Sequence, residues 1–101
     1  MTTDNELFIG RLGKNPDLRY TQKREPICFL SVAAKTADPN NPLWKRVIVW
    51  GKQAELASLY LKKGSEIFVQ GQNQIREYRD KNKQMKEIEE VKARLIGFSN
   101  L

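Results

Sequence analysis

Residues 43–52 read LWKRVIVWGK, and the alternation of side chains along this stretch decides the fold. In a β-strand, successive side chains point to opposite faces, so Lys45, Val47 and Val49 share one face. The two valines make that face the core side. The opposite face carries two indoles, a guanidinium and an isoleucine: Trp44, Arg46, Ile48 and Trp50. This second face is either another buried surface or a surface that meets something flat and charged.

The length and charge of the chain restrict its class. With 101 residues, we expect one small domain over residues 1–101, with a core that is adequate but not generous. The net charge of +6 suits an anionic partner, either nucleic acid or an anionic membrane surface, but charge alone is equally consistent with a protein that is merely basic and soluble. The sequence has neither a bilayer-length apolar stretch nor the pattern of a secretory signal. We therefore expect a cytoplasmic protein without a membrane partner.

The side chains that usually carry catalysis are scarce. Histidine is missing from the sequence, which removes the most common general base and metal ligand. Cys28 stands alone in the apolar run 27–30, so we expect it to pack in the core rather than react. The spacing of Glu87, Glu89 and Glu90 does not support convergent metal ligands, and we interpret this cluster as a solvated or interface face. The sequence therefore predicts a protein that is not an enzyme, with no catalytic residue, metal or cofactor.

Turn signals at close intervals divide the chain into strands and one helix. We predict strands at 7–12, 27–35, 43–52, 66–78 and 85–96, with 18–20 resuming extended structure after a turn. The helix is predicted over 52–63, with Gly64 as its left-handed C-cap. Gly10, Gly13 and Gly71 are predicted sites of bends or bulges. We expect an exposed loop at 36–42 and a hairpin loop at 79–84.

The order of these elements predicts a fold class. Three strands, a helix and a two-stranded hairpin in so short a chain indicate an all-β domain with one helix. We predict an OB-fold, a five-stranded Greek-key barrel with the helix between strands 3 and 4. A flat five-stranded α+β sandwich is the alternative, and the bent, glycine-bearing strands favour the barrel. The helix is interpreted as a plug of the barrel. Packing of its apolar stripe against the strands accounts for that stripe, which therefore needs no functional explanation.

Three segments resemble the bacterial single-stranded DNA-binding protein family: LFIGRLGKNPDLRY (7–20), WKRVIVWGKQAELASLYLKKGSEIFVQGQ (44–72) and IREYRDKNKQ (75–84). The first shared motif is glycine–x–leucine–glycine–x–x–proline, which begins within the first strand at Gly10. The others are a tryptophan–x–arginine strand ending in aromatic–glycine–lysine, an alanine–glutamate helix, and lysine–glycine–serine before a glycine–glutamine strand. They occur in this order over nearly the whole chain. The resemblance implies an OB-fold that binds single-stranded DNA without a catalytic step, usually as a homotetramer.

The resemblance also implies which residues contact DNA. Bases stack on aromatic side chains for about 1–3 kcal/mol each, and we expect Trp44, Trp50 and Tyr78 to provide such faces. Where this chain has Trp50 and Tyr78, the family usually has phenylalanine and tryptophan. Arg46 is expected to meet phosphate or a base. The remaining expected contacts are basic residues that follow the DNA backbone: Lys14, Arg19, Lys35, Lys52 and Arg76, with Lys45, Lys81 and Lys83 as further candidates.

The chain departs from the family at three places. A further stacking tryptophan, in the loop between the second and third strands, has no counterpart here, and Lys35 lies close to the lost position. Lys45 replaces a histidine associated with subunit contacts, so a tetramer is favoured and a dimer stays open. Family members usually continue into an acidic tip that recruits replication and repair proteins. The sequence stops at residue 101 without one, and we expect no tail-dependent recruitment if the natural chain ends there.

Alternative interpretations stay open beside single-strand binding. A primosomal replication protein of the same fold, typically a dimer, would also bind single strands. An OB-fold protein-interaction module would instead bury Trp44 and Trp50 in an interface. Phe29 and Phe68 are interpreted as rim or interface residues first and DNA contacts second, and a structural role for Arg19 is an equal alternative. The favoured prediction is sequence-independent binding and protection of single-stranded DNA in replication, repair or recombination, in the nucleoid-containing cytoplasm of bacteria.

Overall fold

The computed structural model describes residues 5–98. Within this range, six strands and one helix follow one another: β1 Asn5–Leu12, β2 Asp17–Tyr20, β3 Pro26–Ala34, β4 Leu43–Trp50, α1 Lys52–Tyr60, β5 Glu66–Arg79 and β6 Met85–Phe98. The predicted strands are all present, and their ends fall within two residues of the predicted ones. The segments 36–42 and 80–84 connect strands outside regular structure, as predicted, and the first of them is exposed throughout.

The strands close into a barrel because β1 pairs on both of its edges. β1 runs antiparallel to β5 from Asn5 to Arg11 and, at its end, pairs with β3 from Gly10 to Leu12. The ring β1-β5-β6-β4-β3 is completed by a short parallel pairing of β4 with β6, and β2 extends beside β3. A closed five-stranded ring with a helix between β4 and β5 is consistent with the predicted OB-fold. The flat sandwich does not have this closure.

The inward faces of the strands form the core. Val47 and Val49 on β4 are fully buried, as are Cys28 and Val32 on β3, which confirms the phase predicted for both strands. Each such apolar side chain contributes about 1.5–3 kcal/mol to folding. Burial, together with the charge of Asp17, raises the pKa of the Cys28 thiol to about 11. The thiol therefore stays protonated at neutral pH and acts as a packing group.

The helix α1 is shorter than predicted. It ends at Tyr60, and Leu61 already has an extended backbone with φ −100° and ψ 153°. The predicted end at residue 63 and the C-cap at Gly64 are wrong, because Leu61 turns into the core and is only 6% exposed. Gly64 does adopt a left-handed φ of 90°, but in the next turn, where its N–H donates to the carbonyl of Leu12 at 2.8 Å.

One side of α1 packs on the barrel, as the plug interpretation requires. Ala54 and Ala57 are fully buried, and the helix contacts β2, β3 and β4. Small side chains here allow the helix backbone to approach the strands closely. Between residues 5 and 98, no helix has the length and apolar character that a membrane crossing requires.

β5 and β6 form a long hairpin that is bent at Gly71. The register shifts between Gln70 and Gly71, where one residue of β6 is left out of the pairing, and this β-bulge confirms the predicted bend. A Cβ at residue 71 would lie 2.4 Å from the carbonyl oxygen of Lys92. Glycine is therefore required for the two backbones to approach at the bulge.

Gly71→Ala should lower the free energy of unfolding by about 1–3 kcal/mol, because the new methyl group must push β5 and β6 apart. Gly97→Ala in β6 is the matched control, since a Cβ there would meet only the Phe68 side chain at 3.8 Å. Urea denaturation followed by circular dichroism measures both variants. Equal losses at the two positions would contradict this explanation of the bulge.

Candidate nucleic-acid interface

The outer face of β4 exposes the two tryptophans of the chain. Trp44 is 57% exposed and Trp50 is 38% exposed, whereas Ile48 between them is 6% exposed. In register, Ile48 lies between Phe29 of β3 and Lys92 of β6. The face that the sequence left undecided is therefore open at both ends of β4 and covered at its centre.

A groove with a volume of about 460 Å³ crosses this outer face. Five of the predicted DNA-contacting residues lie along it: Lys14, Arg19, Trp44, Lys45 and Arg46. Phe29, predicted first as a rim residue, also lines the groove. The groove therefore combines flat aromatic surface with four basic residues, which outnumber the two acidic residues of its lining, Asp17 and Glu89. Aromatic surface beside an excess of positive charge is the combination that single-strand binding needs.

Two guanidinium groups lie over the ring of Phe29. The Arg46 guanidinium carbon is 5.0 Å from the ring centroid, and that of Arg19 is 5.7 Å away. Arg19 is also held by Asp17, whose carboxylate accepts from its Nε at 3.1 Å. Guanidinium groups against an aromatic ring are stabilised by cation–π attraction while their edges stay free to donate to phosphate.

The ring of Trp44 is packed against Gly13, at the bend between β1 and β2. A Cβ at Gly13 would lie 2.5 Å from Cζ3 of the indole. The Gly13 N–H donates to the Ser31 carbonyl at 2.9 Å, which ties the bend to β3. The predicted bend at Gly13 is present, and glycine is needed there because any larger residue would displace the indole.

Glu90 is the centre of an ion-pair network beside the groove. Its side chain is 0% exposed. One carboxylate oxygen accepts from Arg46 Nε at 3.0 Å, and Arg76 donates to both oxygens through Nε and Nη2, each at 3.0 Å. The hydrogen bond from Arg76, with the charges of both arginines, lowers the pKa of Glu90 although burial alone would raise it. The same hydrogen bond raises the pKa of Arg76.

The interpretation of Glu87, Glu89 and Glu90 as a solvated or interface face is therefore wrong for Glu90, because its side chain is buried within this chain. Glu87 and Glu89, its neighbours in the predicted cluster, are exposed. Nothing local distinguishes Glu90 from them, because its burial depends on Arg46 on another strand and on Arg76 across the hairpin. Within residues 5–98, His, Cys, Asp and Glu side chains do not form a group of three that could hold a metal ion.

Two predicted residues lie on the same outer side but outside the groove lining. Trp50 of β4 and Arg19 of β2 lie on either side of Ile27 of β3, because both pair in register with that residue. Tyr78, 41% exposed, lies near the tip of the β5–β6 hairpin and is in the same alternating phase as Arg76. Through its bonds with Glu90, Arg76 connects this hairpin face to Arg46 and the groove.

Two predicted lysines, Lys35 and Lys52, lie outside the groove lining, whereas Lys45 belongs to the lining but has its own ion-pair partner. Lys35 pairs with Glu66 at 2.8 Å and lines a separate pocket of about 410 Å³, and its hydrogen bond lowers the pKa of Glu66. Lys45 points to the inner side, where its ammonium lies 2.6 Å from a carboxylate oxygen of Glu6. Its side chain is only 19% exposed, and its contact with phosphate stays a prediction. Lys52 is exposed at the start of α1.

Acidification should destabilise the fold through Glu90. Because its pKa in the folded protein is below the ordinary 4.5, the network stabilises fully above that value and is lost as the pH falls through the folded-state pKa. Glu90→Gln should cost about 1–3 kcal/mol at pH 7, since the arginines lose a charged acceptor. The stability of this variant should also depend less on pH in the acid range.

Thermal unfolding between neutral and acid pH measures this effect. Glu66→Gln is the control, because it removes an exposed pair with Lys35 and should change stability little at pH 7. If Glu90→Gln lost stability on acidification as steeply as the wild-type protein, the titration of Glu90 would not be the cause.

Comparison with known proteins assigns the chain to a family. The family model described as "Single-strand binding protein family" matches residues 5–99. The "Single-stranded DNA-binding protein" of Neisseria meningitidis serogroup A is 35% identical over 89 residues, which cover 81% of this chain and 51% of the relative. "Single-stranded DNA-binding protein 1" of Xylella fastidiosa is 37% identical over 95 residues, covering 86% and 70%. The chain thus spans about half the length of the Neisseria relative. It belongs to the single-strand binding protein family.

Proposed function

We propose that the chain binds single-stranded DNA without sequence preference and protects it in replication, repair or recombination. The observation that carries the proposal is the groove, where Trp44 and Phe29 lie beside Lys14, Arg19 and Arg46 on one exposed face. Membership of a family whose similar members are named for single-stranded DNA binding supports it.

The proposed binding follows from the surface chemistry. Every unpaired base presents an aromatic face, so stacking on Trp44 or Trp50 tolerates any sequence. In a duplex these faces are already stacked, which makes a single strand the preferred ligand. The groove cations pair with phosphate and release counterions, so affinity falls with salt. The process needs no bond to be made or broken, and we propose no enzymatic step.

Trp44→Ala should weaken binding of oligothymidylate by about 1–3 kcal/mol, roughly 5- to 150-fold, because one stacking face is lost. Oligonucleotides of other sequences should lose a similar factor. Fluorescence anisotropy of a labelled single strand measures the affinity. Trp44→Phe, which keeps an aromatic face, should lose less.

Tyr60→Ala is the matched aromatic control. Tyr60 is 51% exposed on α1 and contacts Phe98 rather than the groove, so its removal should leave DNA affinity unchanged. Equal affinity of the Trp44→Ala and wild-type proteins would contradict the assignment of the groove. Weak binding that does not depend on oligonucleotide length would instead favour a protein-interaction module.

We further propose that the chain forms a homo-oligomer, with a tetramer favoured over a dimer. Within residues 5–98, the part of β1 before Ile9 pairs with β5 on one side only. The outer face beside this edge carries apolar side chains around the exposed Gln70: Leu7, Phe68 and Leu95, of which Leu7 is 65% exposed and Leu95 is 50% exposed. A second copy could pair with the free edge and cover the patch. We also propose that the protein acts in the cytoplasm, with replication proteins as candidate partners.

Leu7→Lys should shift the protein toward a smaller assembly, because the charge would be buried in the proposed subunit contact. The side chain is largely exposed in one chain, so the fold should tolerate the change. Leu59→Lys on α1 is the control, since Leu59 is 72% exposed away from the patch. Sedimentation equilibrium measures the mass. If the mass of Leu7→Lys equalled that of the wild-type protein, the proposal that β1 lies in the subunit interface would be wrong.

A further inference from the structure

Glu90 carries a negative charge into a face that is proposed to bind a polyanion. It lies next to the groove and bonds to two residues expected to contact DNA, Arg46 and Arg76. A carboxylate at this place repels phosphate, so on charge alone it opposes binding. Its presence therefore needs an explanation in terms of what it does to the two arginines.

The hydrogen bonds fix both guanidinium groups while leaving much of each exposed. Arg76 is held by two parallel bonds, and Arg46 is held by one bond and by the Phe29 ring at 5.0 Å. The side chains nevertheless remain 42% exposed for Arg46 and 50% exposed for Arg76. An arginine has five N–H donors, so each keeps donors for a phosphate or a base edge.

Because of its position in the sheet, Glu90 connects two parts of the fold, the barrel and the β5–β6 hairpin. β4 and β6 pair only at Val47 with Val91 and at Ile48 with Lys92. From Glu90 toward the hairpin tip, β6 pairs with β5 alone. The network therefore lies where the hairpin leaves the barrel, and it connects Arg46 of the barrel to Arg76 of the hairpin.

We propose that Glu90 is a positioning residue of the single-strand-binding face: its carboxylate holds Arg46 and Arg76 in fixed orientations before DNA arrives. Ordering a long side chain on binding is costly, and pre-ordered arginines avoid that cost. The benefit of the fixed geometry outweighs the repulsion between the carboxylate and phosphate. This inference rests on the proposed single-strand binding.

The sign of one affinity change tests the proposal. Glu90→Gln removes a negative charge, so a purely electrostatic role predicts tighter binding of oligothymidylate, whereas a positioning role predicts weaker binding by roughly fivefold or more. Glu89→Gln is the matched control, because it removes the same charge from the adjacent, exposed residue, which lines the groove but bonds to Asn73 rather than to an arginine. We expect Glu89→Gln to bind somewhat more tightly than the wild-type protein.

Glu90→Asp separates charge from geometry and serves if Glu90→Gln does not fold. It keeps the net charge but shortens the side chain by one methylene group, so the carboxylate withdraws from both guanidiniums. We expect this variant to bind oligothymidylate more weakly than the wild-type protein. Because its net charge is unchanged, the salt dependence of binding should stay nearly the same, so the loss of affinity would reflect geometry. Affinity equal to or above that of the wild-type protein in Glu90→Gln or Glu90→Asp would overturn the proposal.

A measurement on the free protein keeps this test independent of DNA binding. In the wild-type protein, NMR should find the Nε–H protons of Arg46 and Arg76 protected from exchange with water, in contrast to the exposed Arg79. The protection should vanish in Glu90→Gln and persist in Glu89→Gln. If the wild-type protein failed to bind single strands, the proposed function would fall; exchange as fast as that of Arg79 would overturn the positioning role itself.

Discussion

Closure of the sheet through β1 is the constraint on which the rest of the structure depends. Because β1 pairs with β5 and then with β3, five strands enclose one small core and every strand acquires an inside and an outside. The inside takes the valines of β4 and Cys28. The outside divides into two faces. An aromatic, basic face lies on β2, β3 and β4 and continues through Arg76 along the β5–β6 hairpin, and a second face with exposed apolar side chains lies on β1 and the adjoining parts of β5 and β6. These two faces serve different partners in our proposal, DNA and a second copy of the chain.

The sequence alone predicted most of this organisation, because alternation in a strand reports burial directly. The stretch 43–52 sorted Val47 and Val49 from Trp44 and Trp50, and the structure has the same division. The glycine at 71 marked the bulge correctly, since no other residue permits so close an approach of β5 and β6. The OB-fold followed from the order of the elements once the strands were recognised.

The features that the sequence did not predict depend on contacts between distant residues. The helix ends early because Leu61 reaches the core, and the periodic pattern could not reveal that position. Glu90 resembles its exposed neighbours in sequence, and only the pairing of β6 with β4 and β5 brings Arg46 and Arg76 to it. Lys35 was predicted to contact DNA because it lies close to a stacking position that this chain lacks; the sequence did not reveal that it pairs with Glu66 and lines a separate pocket.

Intrinsic tryptophan fluorescence during titration with oligothymidylates of increasing length, at low and moderate salt, tests the central claim most directly. Trp44 and Trp50 are the two tryptophans of the chain, and both lie on the proposed binding face. Stacking of bases on the indoles predicts strong quenching that saturates at a defined number of nucleotides per chain and weakens as salt rises. Little quenching at any length would contradict the account and assign this face to another partner.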